Sequence, residues 1–228
     1  MIAIIKKELK TYFFSPIGYV FIGAFLFMSS FFFYIYTYQY GSVEYSSLFY
    51  YTSELLTFTI ALLTMGMFAG ERKNGTETLL ITSSRSITGI ALGKFLAAVL
   101  VIIITEICSL MYYIILCSFA GGITNVPETI STLIGFVLMT MSYISFGMFI
   151  SSLTENQIIA GVVTVVLLLA SWFIPNLSDS LYILSPIALF QKFPEGMIAV
   201  KETIILLMQT VLFFILTVIV MQRRKNLK

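Results

Sequence analysis

The chain has 228 residues, of which 59% are hydrophobic, 15% aromatic and only 11% charged, with a formal net charge of +2. This composition excludes a soluble domain and a disordered chain, and it predicts an integral membrane protein. The chain has no histidine and a single aspartate, Asp179. Histidine-ligated metal or haem sites, a Ser-His protease site and an Asp-Asp dyad within one chain are therefore excluded.

Residues 1–16 are too polar to span a membrane. At helical spacing their apolar side chains fall on one face, and Lys6, Lys7 and Lys10 fall on another. This pattern predicts an amphipathic helix that lies in the membrane interface with its basic side towards the headgroups. Tyr12 is expected to belong to the aromatic belt at that boundary.

Six apolar runs follow, each near the roughly 20 residues that a helix needs to cross the hydrocarbon core. We therefore predict an all-α fold with six transmembrane helices, at residues 17–36, 52–69, 90–116, 130–153, 157–174 and 203–221.

The basic residues indicate the orientation of these helices. With a cytoplasmic N-terminus, the predicted spans leave only Lys192 and Lys201 on the outer side, and the other 11 of the 13 Lys and Arg residues are cytoplasmic. Positive residues favour the cytoplasmic side. Both termini are therefore expected to be cytoplasmic.

The outer segment 175–201 is longer than the other external loops, and its apolar pieces are interrupted at Pro186, Pro194 and Gly196. Each piece is too short to cross a membrane. We expect a re-entrant pair of helices that dips into the outer leaflet, where protein must cover the irregular backbone. The alternative is an ordinary loop whose apolar side chains lie on the bilayer.

The cytoplasmic segment 70–89, between the second and third spans, has the sequence GERKNGTETLLITSSRSITG. An Asn-Gly pair at 74–75 predicts a turn. Thr76 can cap a short helix that presents Leu79 and Leu80. An exposed apolar pair of this kind marks a contact surface. The helix either lies on lipid headgroups or docks into a soluble partner.

The start of the third span superficially resembles a phosphate-binding loop, with Gly89, Gly93 and Lys94. The spacing is one residue short, and Phe95 replaces the Ser or Thr that would hold magnesium. We interpret Gly93 as a helix-packing residue and Lys94 as an anchor at the cytoplasmic interface.

Glu106 lies in the middle of the third predicted span. An ionised carboxylate at that depth costs about 2.5–3.5 kcal/mol or more unless it is paired or protonated. Two interpretations remain open. Glu106 lies on a substrate or proton pathway, or it is a protonated side chain that hydrogen-bonds to a neighbouring helix.

Residues 68–83 read FAGERKNGTETLLITS and resemble the cytoplasmic loop of ABC-2 type permeases, whose common form is roughly F-A-x-E-[RK]-x-x-G-T-x-x-L-L-x-[TS]-S-P. That loop is followed by a helix with L-G-K, which residues 92–94 match. Residues 184–198 are similar to the last outer segment of the same family. The subgroup that fits best contains the permeases of gliding-motility and nitrous-oxide-reductase-maturation exporters. Ser84 departs from the pattern, since many members have proline there.

The resemblance covers the whole chain and implies the permease subunit of an ABC-2 exporter in a prokaryotic cytoplasmic membrane. A second copy or a paralogue would complete the transporter, and a separate subunit would bind and hydrolyse ATP with magnesium. The chain itself would then be no enzyme, would hold no cofactor and would bind no nucleic acid.

In such permeases the 70–89 loop acts as a coupling helix in a cleft of the ATP-binding subunit. The match to the motif implies that this role belongs to Glu71, Gly75, Thr76, Leu79 and Leu80. A leucine pair supplies a buried anchor, and flanking charges such as Arg72 and Arg85 can pair across a polar rim.

Two rival classes are weighed against a permease. The first is an ion-coupled secondary transporter or channel that uses Glu106, which would work without an ATPase. The second is a membrane-embedded enzyme, for which the chain offers few catalytic groups.

Overall fold

A computed structural model of the chain describes residues 2–39, 41, 45–78, 86–122 and 125–226. These residues form helices joined by short turns, and none of them lies in a β-strand. The all-helical class expected from the composition is therefore confirmed for the described part of the chain.

The α-helices within the described ranges are numbered in chain order. They are α1 (Ile2–Phe14), α2 (Pro16–Phe33), α3 (Tyr45–Thr64), α4 (Ala69–Lys73), α5 (Ile87–Ala120), α6 (Val126–Leu153), α7 (Gln157–Phe173), α8 (Pro186–Phe190) and α9 (Val200–Asn226). A π-helical turn continues α2 over Tyr34–Gln39.

Six helical stretches in the described ranges are long and apolar enough to cross a membrane, in agreement with the predicted number. They are Pro16–Thr37, Leu48–Lys73, Ile87–Ala120, Val126–Leu153, Gln157–Asn176 and Val200–Asn226. The 34 residues of α5 extend about 51 Å at 1.5 Å per residue. Because the hydrocarbon core is about 30 Å thick, α5 must tilt or project beyond it.

Local sequence signals fix several helix ends. Proline starts α2 at Pro16, where its missing amide hydrogen costs nothing. The Ser86 hydroxyl accepts a hydrogen bond from the Gly89 amide and caps α5. Gly121 ends α5 with a φ of +69°, a left-handed conformation that suits glycine.

The helix α6 is central to the assembly, because α3, α5, α7, α8 and α9 all pack against it. Small residues allow these close approaches. The Gly147 backbone lies against Thr64 of α3, and the Gly135 backbone lies against the Phe193 ring, leaving no room for a β-carbon at either glycine. The large side chains of Phe136 and Tyr143 fill the remaining space and are almost fully buried.

The outer segment between α7 and α9 consists of three short 3₁₀ turns and α8. Four residues of α8 are buried, among them Pro186 and Phe190. The Ser131 hydroxyl of α6 lies 2.7 Å from the Phe193 carbonyl oxygen and 3.0 Å from that of Met197, so it can donate to either. Protein therefore covers α8 and Phe193, whereas Leu177 and Leu184 in the preceding part of the segment are exposed, so its re-entrant character stays a prediction. The depth of the segment in the bilayer stays a prediction.

The amphipathic helix α1 packs along α5 and contacts α2. Lys6, Lys7 and Lys10 are exposed, as its pattern predicts. Tyr12 lies inside the protein instead of in the interfacial belt, and its hydroxyl donates to the Leu63 carbonyl at 3.3 Å. Its position among the apolar residues of α1 explains the difference, because that face meets protein.

We predict that Gly135→Val lowers the thermal stability of the protein. The added side chain would collide with Phe193, and overpacking of this kind costs about 1–3 kcal/mol. Fluorescence-detected size exclusion after heating in detergent measures the shift in the melting temperature.

Gly23→Val is the matched control for Gly135→Val, because no atom lies within 4 Å of a β-carbon placed at Gly23 in α2. Equal melting temperatures for the two variants would contradict the packing of α6 against the outer segment.

Candidate functional site

The chain breaks its helical path between α3 and α4, at residues 65–68. The Ser151 hydroxyl of α6 bridges this break. It accepts hydrogen bonds from the Phe68 and Ala69 amides, both at 3.1 Å, and donates to the Met65 carbonyl at 3.0 Å. One buried hydroxyl therefore forms hydrogen bonds with backbone groups that have no partner within the interrupted helix.

Close packing holds α4 against the start of α7. Gly70 is buried, and the Gln157 side-chain amide occupies the place that a β-carbon at Gly70 would take. The glycine at position 70 is thus required by the approach of α7. Through Ser151 and Gln157, the beginning of the 70–78 loop is held by α6 and α7.

A buried lysine joins this loop to α1 and α5. Lys94 of α5 is 2% exposed, and its ammonium nitrogen lies 3.0 Å from Glu8 Oε1 and 2.8 Å from Glu71 Oε1. The Lys7 ammonium lies 3.5 Å from each of these two oxygens, at the exposed side. We call these four residues the Lys94 network. It contains two positive and two negative side chains, so its formal charges balance.

Charge-assisted hydrogen bonds of this length are strong, but only when every buried charge is paired. Loss of Lys94 would leave two carboxylates facing each other. Lys94 lies inside the protein and is not the membrane-interface anchor that its position in the sequence predicts. One sequence feature could have identified a partner of Lys94. Glu8 is a charged residue that falls on the apolar face of an amphipathic helix, with Ile5 and Tyr12.

The Arg72 side chain is 5% exposed and points into the protein. Its guanidinium donates to the Thr154 and Ser152 carbonyls, at 2.8 and 2.6 Å, and to Glu77 Oε1 at 3.0 Å. These carbonyls are at the C-terminal end of α6, where unpaired carbonyls and the helix dipole favour a cation. Arg72 therefore caps α6 and fixes the loop to it.

A second arginine, from the C-terminal end of α9, reaches the same place. Arg224 donates to the Leu153 carbonyl at 3.3 Å, and its guanidinium lies 3.8 Å from Glu77 Oε1. Glu77 thus has an arginine on either side. Side chains from the loop, α6 and α9 meet at this end of the helices.

The turn predicted at residues 74–75 is present, with Gly75 at a φ of +72°. The Thr76 amide and hydroxyl both donate to the Glu71 carbonyl, at 2.9 and 3.2 Å. Asn74, Gly75 and Thr76 are exposed. The turn is therefore exposed, while the residues that precede it, Glu71 and Arg72, are held by α1, α5 and α6.

The predicted site residues fall into three groups. Glu71 and Arg72 point inwards and hold the loop, while Gly75 and Thr76 are exposed at its tip. Leu79, Leu80 and Arg85 lie outside the described residues, and so does most of the predicted short helix.

A cavity of about 360 Å³ lies between α1 and the loop and is lined by residues that include Glu8, Glu71 and Lys94. Burial, together with the nearby Glu8 and Glu71 carboxylates, raises the pKa of the Tyr12 phenol above its ordinary value, so Tyr12 stays a hydrogen-bond donor. The described part of the chain contains no group of three or more acidic or cysteine residues that could hold a metal ion.

Glu106 lies apart from this charged end, about 18 Å further along α5 at 1.5 Å per residue from Lys94. It is 7% exposed, and its Oε1 has no hydrogen-bond partner among the described residues. Its backbone carbonyl accepts from the Ser109 hydroxyl at 2.8 Å, and that hydroxyl is 3.2 Å from the Tyr45 hydroxyl. These hydroxyls lie next to the Glu106 backbone, and no ion pair to its carboxylate is present among the described residues.

Six apolar helices with a tightly held charged loop at one end define a multi-pass membrane protein. The sequence matches the family described as ABC-2 family transporter protein over residues 2–227, so the chain belongs to that family. Its members are membrane transport subunits and are not themselves enzymes. A search of curated proteins returned no match to the chain.

We predict that Lys94→Met destabilises the protein by about 3 kcal/mol, because it removes the buried cation that Glu8 and Glu71 share and leaves them the exposed Lys7 ammonium at 3.5 Å. The triple change Lys94→Met, Glu8→Gln and Glu71→Gln should restore most of this loss. The measurement is the melting temperature of each purified variant in detergent.

Lys10→Met serves as the control for Lys94→Met, since Lys10 is an exposed lysine on α1. A Lys94→Met protein as stable as the Lys10→Met protein would show that the Lys94 network contributes nothing to the fold.

Proposed function

We propose that this chain is the permease subunit of an ATP-driven ABC-2 exporter, coupled to a separate ATP-binding subunit through the 70–89 loop. The observation that carries the proposal is the firm attachment of this loop. Lys94, Arg72 and Ser151 fasten it to α1, α5 and α6. A loop that only connected two helices would not need three buried polar anchors.

The proposed docking surface consists of the exposed turn at Asn74–Thr76 and the short helix that the sequence predicts at Leu79 and Leu80. The turn projects beyond the anchored base. An apolar pair surrounded by polar residues is a common anchor of protein interfaces. Glu71 and Arg72 act in this scheme by holding the loop, and Arg85 belongs to the polar rim.

Force on the loop reaches the spans through its anchors. When the ATP-binding subunits close, they push the loop, and the push passes through Lys94 to α5 and through Arg72 to α6. Because the anchors are buried and charged, the connected parts move as rigid bodies. Their movement switches the permease between inward and outward access.

A complete transporter contains two permease chains, identical or paralogous, and two ATP-binding subunits that carry the ATP and magnesium. The charged end, with α1, the loop and the last turn of α9, faces the cytoplasm, in accordance with the positive-inside rule. Both termini are then inside, and the family resemblance implies that the membrane is a prokaryotic cytoplasmic membrane. The gliding-motility and nitrous-oxide-reductase-maturation permeases remain the best-fitting subgroup.

We predict that Leu79→Arg abolishes co-purification of the ATP-binding subunit from detergent-solubilised native membranes, while the permease still inserts. Loss of a buried anchor that contributes about 2 kcal/mol or more weakens binding roughly 30-fold. Mass spectrometry of the co-purified proteins gives the readout.

Leu177→Arg provides the control, because Leu177 is 78% exposed in the outer segment, away from the charged end. If Leu79→Arg retains the ATP-binding subunit as well as Leu177→Arg does, the loop is not the docking site.

Glu106 is a candidate for the translocation pathway, because it is a buried carboxylate with a free oxygen among the described residues. We predict that Glu106→Gln, which keeps the shape of the side chain, lowers transport about tenfold. The melting temperature should stay unchanged. The comparison is transport in vesicles at equal amounts of reconstituted protein.

Full transport by Glu106→Gln would assign Glu106 a structural role as a protonated side chain. The rival ion-coupled transporter makes a different prediction for the same vesicles. In that case, transport would follow a proton gradient without ATP or the ATP-binding subunit, and Glu106→Gln would abolish it.

A further inference from the structure

A second cavity lies between α6, α7, α9 and the outer segment, remote from the charged loop. Its volume is about 140 Å³. Buried side chains of Leu168 and Ser171 form its floor, and Leu167, Leu184 and Leu212 form its rim. These rim residues are 45%, 56% and 54% exposed, so the cavity opens onto an apolar outer surface of the protein.

The cavity lies in the half of the membrane opposite the charged end. Ser142 is about 16 Å from the charged end of α6, and Ser171 is about 21 Å from that of α7, at 1.5 Å per residue. The hydrocarbon core is about 30 Å thick. Both distances are smaller than this thickness, so in a membrane that these helices span the cavity mouth would face lipid chains.

The serine and glutamine side chains of the lining are already hydrogen-bonded. The Ser171 hydroxyl donates to the Leu168 carbonyl at 2.6 Å. The Ser142 hydroxyl donates to Gln209 Oε1 at 2.9 Å, and Gln209 Nε2 donates to the Ile183 carbonyl at 2.7 Å. A polar ligand would have to displace these bonds, whereas an apolar ligand would leave them intact.

Tyr143 also contributes to the wall of the cavity. Its buried hydroxyl has no hydrogen-bond partner among the described residues and lies near Thr57 of α3 and Trp172, neither of which lines the cavity. The lining contains no charged side chain. The chemistry of the wall thus favours a hydrocarbon ligand.

We propose that this cavity binds an acyl chain of a phospholipid from the leaflet opposite the charged end. Apolar cavities of about 150 Å³ accept a benzene-sized ligand, so the cavity holds a short length of one chain, with the rest of the lipid outside the rim. Burying apolar surface of the chain supplies the binding energy. The site rests on the six membrane helices and does not depend on the identity of the ATP-binding partner.

The test uses purified protein in phosphatidylcholine vesicles that contain a phosphatidylcholine with a diazirine in its acyl chain. Illumination attaches the chain to neighbouring residues, and mass spectrometry locates the label. The proposal expects labelled peptides from the cavity wall. It also expects the labelling there to be lost in Leu212→Trp, whose larger side chain fills the mouth.

Val211→Trp is the matched control, since Val211 is also 54% exposed on α9 but does not line the cavity. A second pair of variants tests the floor of the cavity. Ser171→Leu fills the cavity, and its control Ala170→Leu adds the same side chain at an exposed neighbouring residue that does not line the cavity.

Labelling that persists in Leu212→Trp and Ser171→Leu would overturn the proposal. Absence of label from the cavity wall of the wild-type protein would also overturn the proposal. That result is expected if a second copy of the chain covers the rim. Because Leu212→Trp and its control Val211→Trp change exposed residues, both should fold. Their elution and melting temperature verify this.

Discussion

Lys94 carries a positive charge into the interior of the helix assembly, where Glu8 and Glu71 hold it at 3.0 and 2.8 Å. These three residues come from α5, α1 and the 70–78 loop, which are far apart in the sequence. A buried ion pair that loses one partner is strongly destabilising. The charged end therefore tolerates little separation of its parts, and a displacement of the loop must also displace α1 and α5.

The other contacts at this end extend the same constraint. Arg72 and Arg224 donate to carbonyls at the end of α6, and Ser151 holds the break between α3 and α4. The loop is thereby connected to most of the helices that cross the membrane. In the outer half, Gln209 links α9 to α6 and the outer segment by neutral hydrogen bonds. Neutral contacts cost less free energy to break than paired buried charges, as the proposed coupling through the charged end requires.

The sequence alone predicts the number of membrane helices and the turn at residues 74–75, because hydropathy and the Asn-Gly pair are local signals. The partners of Lys94 and Arg72 could not be predicted, since they depend on contacts between helices that are distant in the chain. Glu8 carried a usable signal, a charge on the apolar face of α1. Ser151 carried none, because a serine in a membrane helix is compatible with simple close packing.

A distance between spin labels on α1 and on the loop measures whether these two segments move together. Labels on cysteines introduced at the exposed Lys10 and Lys73, with Cys108 and Cys117 replaced by alanine, report this distance in the reconstituted transporter. Rigid coupling of α1 to the loop predicts one narrow distance distribution that is the same with and without trapped ATP. A shift of several ångströms on ATP binding, with Lys94 intact, would contradict it, because the loop would then move independently of α1.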